Sequence, residues 1–544
     1  MGDLGQTPLV SLQESLWVRS ETGGVPTWST GTLRSSTRAA IIVRAGIADE
    51  TPETRGWLAV AKDLALCVSP PDGITAKGSV RGLYTSLLVQ AAPEKLADGV
   101  HWVLGRFIKP DLDQLAQIAA TRTAAARTPN IFGQLLRREL GAHGYGLAGF
   151  PEYGVARLDS STMRWFTSVV YTAENMAICF DGVVPDGLEL IVGSDERWSP
   201  PERTIQARRR PAVTEVDGTD VGLLGIVTED RVAYVLGKVV AERTTRRLRQ
   251  QRPNDPPVRA HVSRLDDVRS AVLLTASAKE TPANFIHGCF EAALGDVVRT
   301  GAMPHELDDL VVETRRLVSD PSQHFDILQR AAIDDLLGLP ALSPMDMLNK
   351  AESVTPIEVA ELAVRVQDRH LVGLPKGSDM DNPFGMPVDE PVVGRARGEG
   401  PAAHASLSSA YPSRAAYVMP SLIHLRYDHQ SGLDIPAADI VLLLAYGDGG
   451  RLVITRDGFE HAIEPTMYER GPQLVGAIDS MVPADLRVAL PARDDVPQPE
   501  IVPKKTVWKS VKKRVAPITA TLPLSRAPKT PQFDAARRLN DGLS

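Results

Sequence analysis

The sequence has few cysteines, few aromatic side chains and no long uncharged apolar run. Three cysteines, Cys67, Cys179 and Cys289, are spread over 544 residues, and no pair has the spacing of zinc ligands. An odd number of widely separated cysteines is typical of a reducing compartment, so we expect buried, inert thiols. Without an apolar run of about 18 residues, or a charged start followed by an apolar segment, the sequence predicts neither a membrane span nor a secretory signal. We therefore expect a cytoplasmic protein.

Charge is distributed unevenly along the chain. Residues 501–544 carry ten Lys or Arg and two Asp or Glu, a net charge of +8, whereas the preceding residues carry −15. Prolines recur beyond Val496, so residues 496–544 are predicted to be a disordered basic tail. Within it, "KKTVWKSVKKRV" puts apolar residues on one helical face and lysines around the rest. Such a helix lies on anionic lipid or docks in an acidic groove.

The residues of the tail that would make this contact are basic, apart from one tryptophan: Lys504, Lys505, Trp508, Lys509, Lys512, Lys513 and Arg514. The alternative is a solvated tail whose charge aids solubility. Because the body of the chain is acidic, we expect no nucleic acid partner. The predicted location is thus cytoplasmic, and peripheral to a membrane if the tail meets anionic lipid.

Hydrophobic periodicity predicts two similar αβ units. In residues 1–205, "TRAAIIVRAG" has the β-branched run of a strand, and "GWLAVAKDLALCV" and "PEKLADGVHWVLGRFI" have helical spacing. In residues 206–380 the order strand, long helix, strand, helix recurs in "DVGLLGIVT", "RVAYVLGKVVAERTTRRLRQQ", "SAVLLTASA" and "TPANFIHGCFEAALGDVVR". We therefore predict an α/β (α+β) fold of two duplicated units, each a mostly antiparallel sheet flanked by helices.

A smaller unit follows. Residues 381–410 are rich in Pro, Gly, Ser and charge without periodicity, and are predicted to be a linker. In residues 411–495, "ADIVLLLAYGDGGRLVITRDGFEHAI" predicts two strands joined by a hairpin turn at Gly447-Asp448-Gly449-Gly450. This region is therefore expected to be a small β-rich domain that precedes the tail.

Several motifs of the first unit resemble those of the pitrilysin/insulinase-type zinc peptidases. A strand runs into Gly46, Glu50 lies in an acidic turn, and Gly56 opens an apolar helix. Further along, "HGYGLAGFPEYGVARLDSSTMRWFTSVVYTAENMAICFDGVV" has the loop, turn, cap and strand-entry residues of the family in the right order. These are His143, Gly146, Gly154, Ser160 or Ser161, Tyr171, Asn175, Met176 and Gly182. The resemblance covers residues 15–380 and excludes the third unit and the tail.

The resemblance implies a zinc-binding helix with the inverted motif H-x-x-E-H, which this chain lacks. In the family, two imidazoles one turn apart hold the metal, and the glutamate between them deprotonates the bound water. Counted from Gly56, these positions fall on Ala59, Lys62 and Asp63. A shifted alignment does not restore the motif, because the first histidine of the chain is His101. We therefore predict that no zinc and no other cofactor is bound.

Two other parts of the family's site are missing as well. The third zinc ligand is a glutamate on a later helix, and this chain has no glutamate between Glu94 and Glu139. The second half of such peptidases contributes an arginine and a tyrosine that hold the substrate. Arg249 is the candidate for this arginine and for a peptide contact, but there is no tyrosine between Tyr234 and Tyr411. The simultaneous loss of separate parts of one mechanism indicates a pseudo-metallopeptidase rather than an alignment error.

These observations lead to one main interpretation and two alternatives. Members of the family work as pairs of two-domain halves that close around a chamber, and some pairs contain an inactive subunit. The resemblance therefore implies a non-catalytic subunit that binds a peptide at a sheet edge or forms a homodimer or heterodimer with another peptidase-family subunit. The first alternative is a free-standing scaffold or adaptor that works through its C-terminal β unit and basic tail. The second is an enzyme of different chemistry in the same cavity.

Two further sequence patterns are similar to known binding sites. Gly144–Gly149 matches G-x-G-x-x-G, but it follows a predicted helix rather than a strand, so we predict a glycine loop and not a dinucleotide site. His424 and His429 have Asp428 between them, which is a possible set of metal ligands. A lone pair of this kind is more often found on a solvated strand or loop, and we expect that here.

Overall fold

The computed structural model describes residues 17–30, 34–124, 129–190, 192–193, 208–228, 230–378, 385–395, 404–408 and 413–499. The chain divides into two units, Met1–Pro499 and Glu500–Ser544, and only the first contains described residues. The seven tail residues predicted to contact lipid or a partner thus lie outside the described part of the chain. Within the described ranges, no helix has both the length and the apolar character needed to cross a bilayer.

The first half of the described chain forms one sheet with helices. Its strands and helices are β1 (Val18–Thr22), β2 (Val25–Ser29), β3 (Arg38–Val43), α1 (Trp57–Leu66), β4 (Ile74–Val80), β5 (Thr85–Ala91), α2 (Pro93–Ile108), α3 (Leu115–Ala124), α4 (Ile131–Leu140), α5 (Ser160–Val170) and β6 (Met176–Phe180). Local signals fix several helix starts: Pro93 lies in the first turn of α2, and Asn130 caps α4 by accepting the Gly133 N–H at 2.9 Å.

The sheet of the first half has the order β1-β2-β6-β3-β5-β4. All neighbouring strands are antiparallel except β2 and β6, which are parallel. The central strand β3 is covered on both faces: Ile41 and Val43 join one core cluster, while Ala40 and Ile42 join another. Because successive side chains of a strand point to opposite faces, this burial explains why "RAAIIV" is a continuous apolar run.

The second half repeats this plan. Its strands and helices are β7 (Ala212–Val216), β8 (Asp220–Val227), α6 (Asp230–Gln251), β9 (Arg259–Arg264), β10 (Ser270–Ser277), α7 (Ala283–Thr300), α8 (Pro304–Ser319), α9 (His324–Leu336), α10 (Pro344–Glu352), α11 (Pro356–Arg369) and β11 (Leu371–Pro375). The sheet order is β7-β11-β8-β10-β9, and only β7 and β11 are parallel. Without the edge strand β1, the two sheets have the same order and the same strand directions. The predicted fold of two duplicated, mostly antiparallel αβ units is confirmed.

Each half supplies a helix to the sheet of the other. Helix α4 of the first half buries Leu135 and Leu136 against the second sheet. Helix α9 of the second half buries Phe325 and Leu328 against the first sheet. The contact of α4 is close, since a Cβ atom on Gly222 of β8 would lie 2.9 Å from Leu135 Cδ1. This exchange joins the two duplicated units into a common core.

The third unit is built from short strands. Its elements are β12 (Gly394–Arg395), β13 (His404–Ala405), β14 (Ala415–Met419), β15 (Leu422–Arg426), β16 (Ser431–Pro436), β17 (Ile440–Tyr446), β18 (Arg451–Thr455), β19 (Glu460–Ile463), α12 (Gly471–Met481) and β20 (Arg487–Leu490). They form the sheets β12-β16-β15-β14-β13 and β19-β18-β17-β20. The predicted hairpin joins β17 to β18. The stretch 381–410, expected to be a linker, contributes the two-residue edge strands β12 and β13.

The third unit packs on a loop of the first half. Leu442, Leu444 and Ile454 share a core cluster with Leu147 and Phe150 of the loop that follows α4. The contact includes backbone, because the Ala142 N–H donates to the Arg456 carbonyl at 2.9 Å. The same loop contacts the segment before α1, because Arg55 Nε donates to the Leu147 carbonyl at 3.0 Å.

One expectation about cysteine is wrong. Cys179 and Cys289 are buried as predicted, but Cys67 is exposed. It lies at the C-terminal cap of α1, beyond the last buried residues of that helix. Apolar neighbours in sequence therefore did not indicate burial, because the chain leaves the core at this point.

Candidate functional site

The start of α1 is held by the buried carboxylate of Glu50. This carboxylate accepts the backbone N–H groups of Gly56 and Leu58, each at 3.0 Å, and a guanidinium N–H of Arg55, also at 3.0 Å. A negative charge is favourable at the N-terminus of a helix, where backbone N–H groups lack partners within the helix. Burial raises the pKa of Glu50 even though Arg55 and the two backbone N–H groups act in the opposite direction. The acidic turn is thus an anchor that fixes the position of α1.

Gly56 permits a loop to pack directly on the start of the helix. Its φ angle is 104°, and an added Cβ would lie 2.7 Å from Glu152 Cβ and from Val155 Cγ2. A side chain is excluded there by conformation and by space. Next to it, the Trp57 indole N–H donates to the Gly154 carbonyl at 2.9 Å. The loop that carries Glu152 is therefore held against α1.

The three positions predicted to replace the zinc-binding motif lie together on α1. Ala59 is buried, whereas the side chains of Lys62 and Asp63 are 16% and 31% exposed. The Lys62 ammonium forms an ion pair with the Asp63 carboxylate. This face of the helix therefore presents one cation and one anion, both already engaged, beside a methyl group.

Arg122 of α3 completes a closed set of ion pairs. Its Nε donates to Asp63 Oδ2 at 2.7 Å, and its Nη1 donates to Glu152 Oε2 at 2.5 Å. Arg55 Nη1 lies 4.0 Å from the other oxygen of Glu152. Burial acts against the charged guanidinium, but Glu152 and Asp63 outweigh it, and the pKa of Arg122 is raised. We call Glu50, Arg55, Lys62, Asp63, Arg122 and Glu152 the Arg122 cluster; it contains three cations and three carboxylates.

Comparisons with known proteins identify the fold. No protein-family model matches the sequence, and no curated protein matches it either. Among solved structures, a protease from Helicobacter pylori has 13% identity and a TM-score of 0.54, with 66% of this chain and 100% of that chain covered. A peptidase M16 inactive domain from Pseudomonas fluorescens has 15% identity and a TM-score of 0.51, with 67% and 99% covered. The chain has the M16 peptidase fold.

Pitrilysin also has this M16 fold, so the resemblance to the pitrilysin/insulinase type is confirmed at the level of the fold. Its identity to this chain is 12% and its TM-score 0.50, with 66% of this chain and 46% of pitrilysin covered. Motif residues of the resemblance are structural here. Tyr171 is buried and stacks on Phe107 with ring centroids 3.7 Å apart, and the buried Asn175 donates to the Val170 carbonyl at 2.8 Å.

The residues present on α1 do not fit the zinc ion that the family resemblance implies. Ala59 has no donor atom, the Lys62 ammonium repels a cation, and the Asp63 carboxylate is shared by two cations. Among the described residues, no group of three or more His, Cys, Asp or Glu side chains is placed to hold a metal. No catalytic step through a metal can be derived from this arrangement.

The Arg122 cluster contains residues that the sequence did not point to. Arg122 and Glu152 are 59 and 89 positions beyond Asp63 in the chain, and no motif connects them. The available signal was the stretch without glutamate between Glu94 and Glu139. Within that stretch, Arg122 is the single charged residue of α3.

The remaining candidate residues do not join this site. Arg249 is exposed in the last turn of α6. His424 is buried in the third unit, where its Nδ1 lies 2.6 Å from Asp434 Oδ1, whereas His429 is exposed in the turn between β15 and β16. Gly144–Gly149 forms a 3-10 segment after α4, as expected for a glycine loop.

Proposed function

We propose that this protein is a non-catalytic member of the M16 fold that binds an extended peptide or pairs with another peptidase-type subunit. The Arg122 cluster carries the proposal. It occupies the face of α1 where the family resemblance expects metal ligands. Its cations have the same sign of charge as a zinc ion and would repel it. A zinc ion would need Arg122 to leave both carboxylates, and even then α1 would offer a single carboxylate.

An edge strand next to α1 supports peptide binding. Strand β4 is the last strand of the first sheet in the described part of the chain, and it pairs with β5 on one side. It passes close to α1, since a Cβ on Gly78 of β4 would lie 2.8 Å from Lys62 Cγ. A strand with an unpaired edge offers backbone groups to an extended segment. The proposed binding mode is the addition of a strand beside the Arg122 cluster.

The first test is metal content and proteolysis of the purified chain. We expect far less than one zinc per chain by elemental analysis, because the positions of the motif hold Ala59, Lys62 and Asp63. We also expect no cleavage of an unstructured protein such as casein. An active zinc peptidase prepared in parallel serves as the positive control. About one zinc per chain together with chelator-sensitive cleavage would contradict the proposal.

The second test is the identity of the partner. The full chain, used as bait in lysate of its own source, should capture a subunit that carries H-x-x-E-H, and that subunit should co-purify with it in a defined ratio. Capture should persist in a chain that lacks residues 501–544, because the pairing surface belongs to the M16 fold. Partners that depend on residues 501–544 and include no peptidase-type subunit would instead favour the scaffold alternative.

A further inference from the structure

A cavity of about 440 Å³ opens where the two αβ units and the third unit meet. Its walls come from α4 and the loop after it, from β7 with Lys376, and from Phe459 and Glu460 of the third unit. This volume is in the range of small-molecule sites. The cavity is separate from the Arg122 cluster, whose six residues do not line it.

Six charged side chains line this cavity, and four of them neutralise one another. Arg137 Nη1 is 2.9 Å from Glu460 Oε1, and Lys376 Nζ is 2.7 Å from Asp217 Oδ1. The two charged side chains that remain are Arg138 and Glu215. Across the described residues, neither forms an ion pair within 4 Å. The cavity therefore offers one unpaired cation and one unpaired carboxylate.

The guanidinium of Arg138 packs on an aromatic ring, and one of its nitrogens has no hydrogen-bond acceptor among the described residues. Its guanidinium lies 4.4 Å from the centre of the Phe459 ring, which fixes its orientation. Its Nη1 is buried and has no hydrogen-bond acceptor within the part of the chain that the structure describes. Burial, together with the neighbouring Arg137, lowers the pKa of Arg138 to about 10. A buried guanidinium nitrogen without an acceptor is costly. Because Arg138 lines the cavity, an anion bound there would offset the charge of its guanidinium.

The carboxylates closest to Arg138 in electrostatic effect, Asp389 and Glu460, already form ion pairs with other arginines. Asp389 pairs with Arg210 at 2.9 Å, and Glu460 pairs with Arg137. An anion bound in the cavity could therefore pair with Arg138 without competing with a carboxylate of the protein. A polyanion such as a nucleotide would be repelled by Glu215, Asp217 and Glu460 in the same walls, whereas a ligand with one negative and one positive group would find a partner for each.

We propose that this cavity binds a zwitterion of the size of an amino acid or dipeptide, with its carboxylate on Arg138 and its ammonium on Glu215. The two residues come from different units of the chain, α4 and β7, so the ligand would bridge them. Phe459 and Tyr153 line the same cavity and provide apolar surface for the body of the ligand. This site is independent of the proposed strand addition at β4.

Titration calorimetry with the full chain and the dipeptide Gly-Phe tests the proposal. We expect saturable binding with a Kd of about 1 mM or tighter. Affinity should fall at least about tenfold for the C-terminal amide of the dipeptide and for the R138Q variant, because each removes one partner of a desolvated charge pair. The E215Q variant should lose affinity for Gly-Phe, but not for N-acetyl-Gly-Phe, which has no ammonium.

Controls separate a loss of binding from a loss of folding. R164Q changes an exposed arginine of α5 and should bind Gly-Phe as the unmodified chain does. The R138Q variant should unfold at a temperature no lower than the unmodified chain, since it removes an unsatisfied charge. The proposal is wrong if Gly-Phe shows no saturable binding, if R138Q and E215Q bind it unchanged, or if inorganic phosphate binds through Arg138 while the dipeptide does not.

Discussion

Replacing Glu50 by alanine should reduce the free energy of unfolding by about 3–5 kcal/mol. The substitution removes three hydrogen bonds to a carboxylate, two of which satisfy backbone N–H groups at the start of α1. It also leaves the Arg55 guanidinium, whose side chain is 9% exposed, without its closest anion. The remaining anion, Glu152, is 4.0 Å away and is shared with Arg122, so the buried Arg55 charge would be poorly compensated, which is costly in a folded protein. Because domains are stable by only about 5–15 kcal/mol, the loss would be a large fraction of the total.

Urea denaturation at neutral pH measures this loss, and a neighbouring residue provides the control. Glu53 lies in the same turn, and it forms no ion pair with any residue that the structure describes. We therefore expect E53A to change the free energy of unfolding by less than about 0.5 kcal/mol. The double variant E50A/R55A should cost less than the sum of the single variants, because it leaves no unpaired charge behind. If E50A unfolds at the same urea concentration as E53A, Glu50 is not the anchor of α1.

The duplicated fold could be predicted from the sequence because its signals are local. The apolar runs of β3 and β8 and the helical spacing of α1, α2, α6 and α7 show in short stretches of sequence that these elements are buried, whichever element covers them. The exchange of α4 and α9 could not be predicted in this way. Leu135 and Leu136 show that α4 has an apolar face, but an apolar face does not specify which sheet covers it. That choice depends on tertiary packing between segments far apart in the chain.

The candidate site also has one part that the sequence predicts and one part that it does not. The lack of metal donors on α1 could be predicted from the sequence, because the motif positions have fixed spacing within one helix and fall on Ala59, Lys62 and Asp63. The ion pairs that occupy this position could not be predicted from the sequence, since Arg122 and Glu152 come from a later helix and a loop. Their approach to Asp63 requires α3 and the loop to dock on α1, which Gly56 permits by lacking a side chain. The cavity with Arg138 depends on three units at once and has no sequence signature.

The second large effect concerns the acid stability that Glu291 provides. This residue lies in α7 beside two buried histidines: its Oε1 is 2.7 Å from His370 Nε2 and 3.4 Å from His287 Nε2. His370 Nδ1 lies 3.0 Å from the Gln367 carbonyl oxygen, so both ring nitrogens of His370 have an oxygen atom within hydrogen-bond distance. Burial alone would raise the pKa of Glu291, but hydrogen bonds from the histidines and their charge lower it from 4.5 to about 2. The folded chain thus keeps this carboxylate ionised where the unfolded chain is already protonated.

Stability from Glu291 should therefore be complete above pH 5 or so and be lost as the pH falls toward about 2. A shift of this size corresponds to about 3 kcal/mol, of which about 2 kcal/mol should be gone by about pH 3. Urea denaturation of the unmodified chain and of E291Q measures the effect between about pH 5 and pH 3. We expect the difference in free energy of unfolding between the two proteins to shrink by about 2 kcal/mol, because a protonated Glu291 is nearly equivalent to glutamine. E361Q, an exposed change on α11, should show a difference from the unmodified chain that does not vary with pH. A difference for E291Q that is equally constant across this range would mean that the histidines do not hold Glu291 ionised.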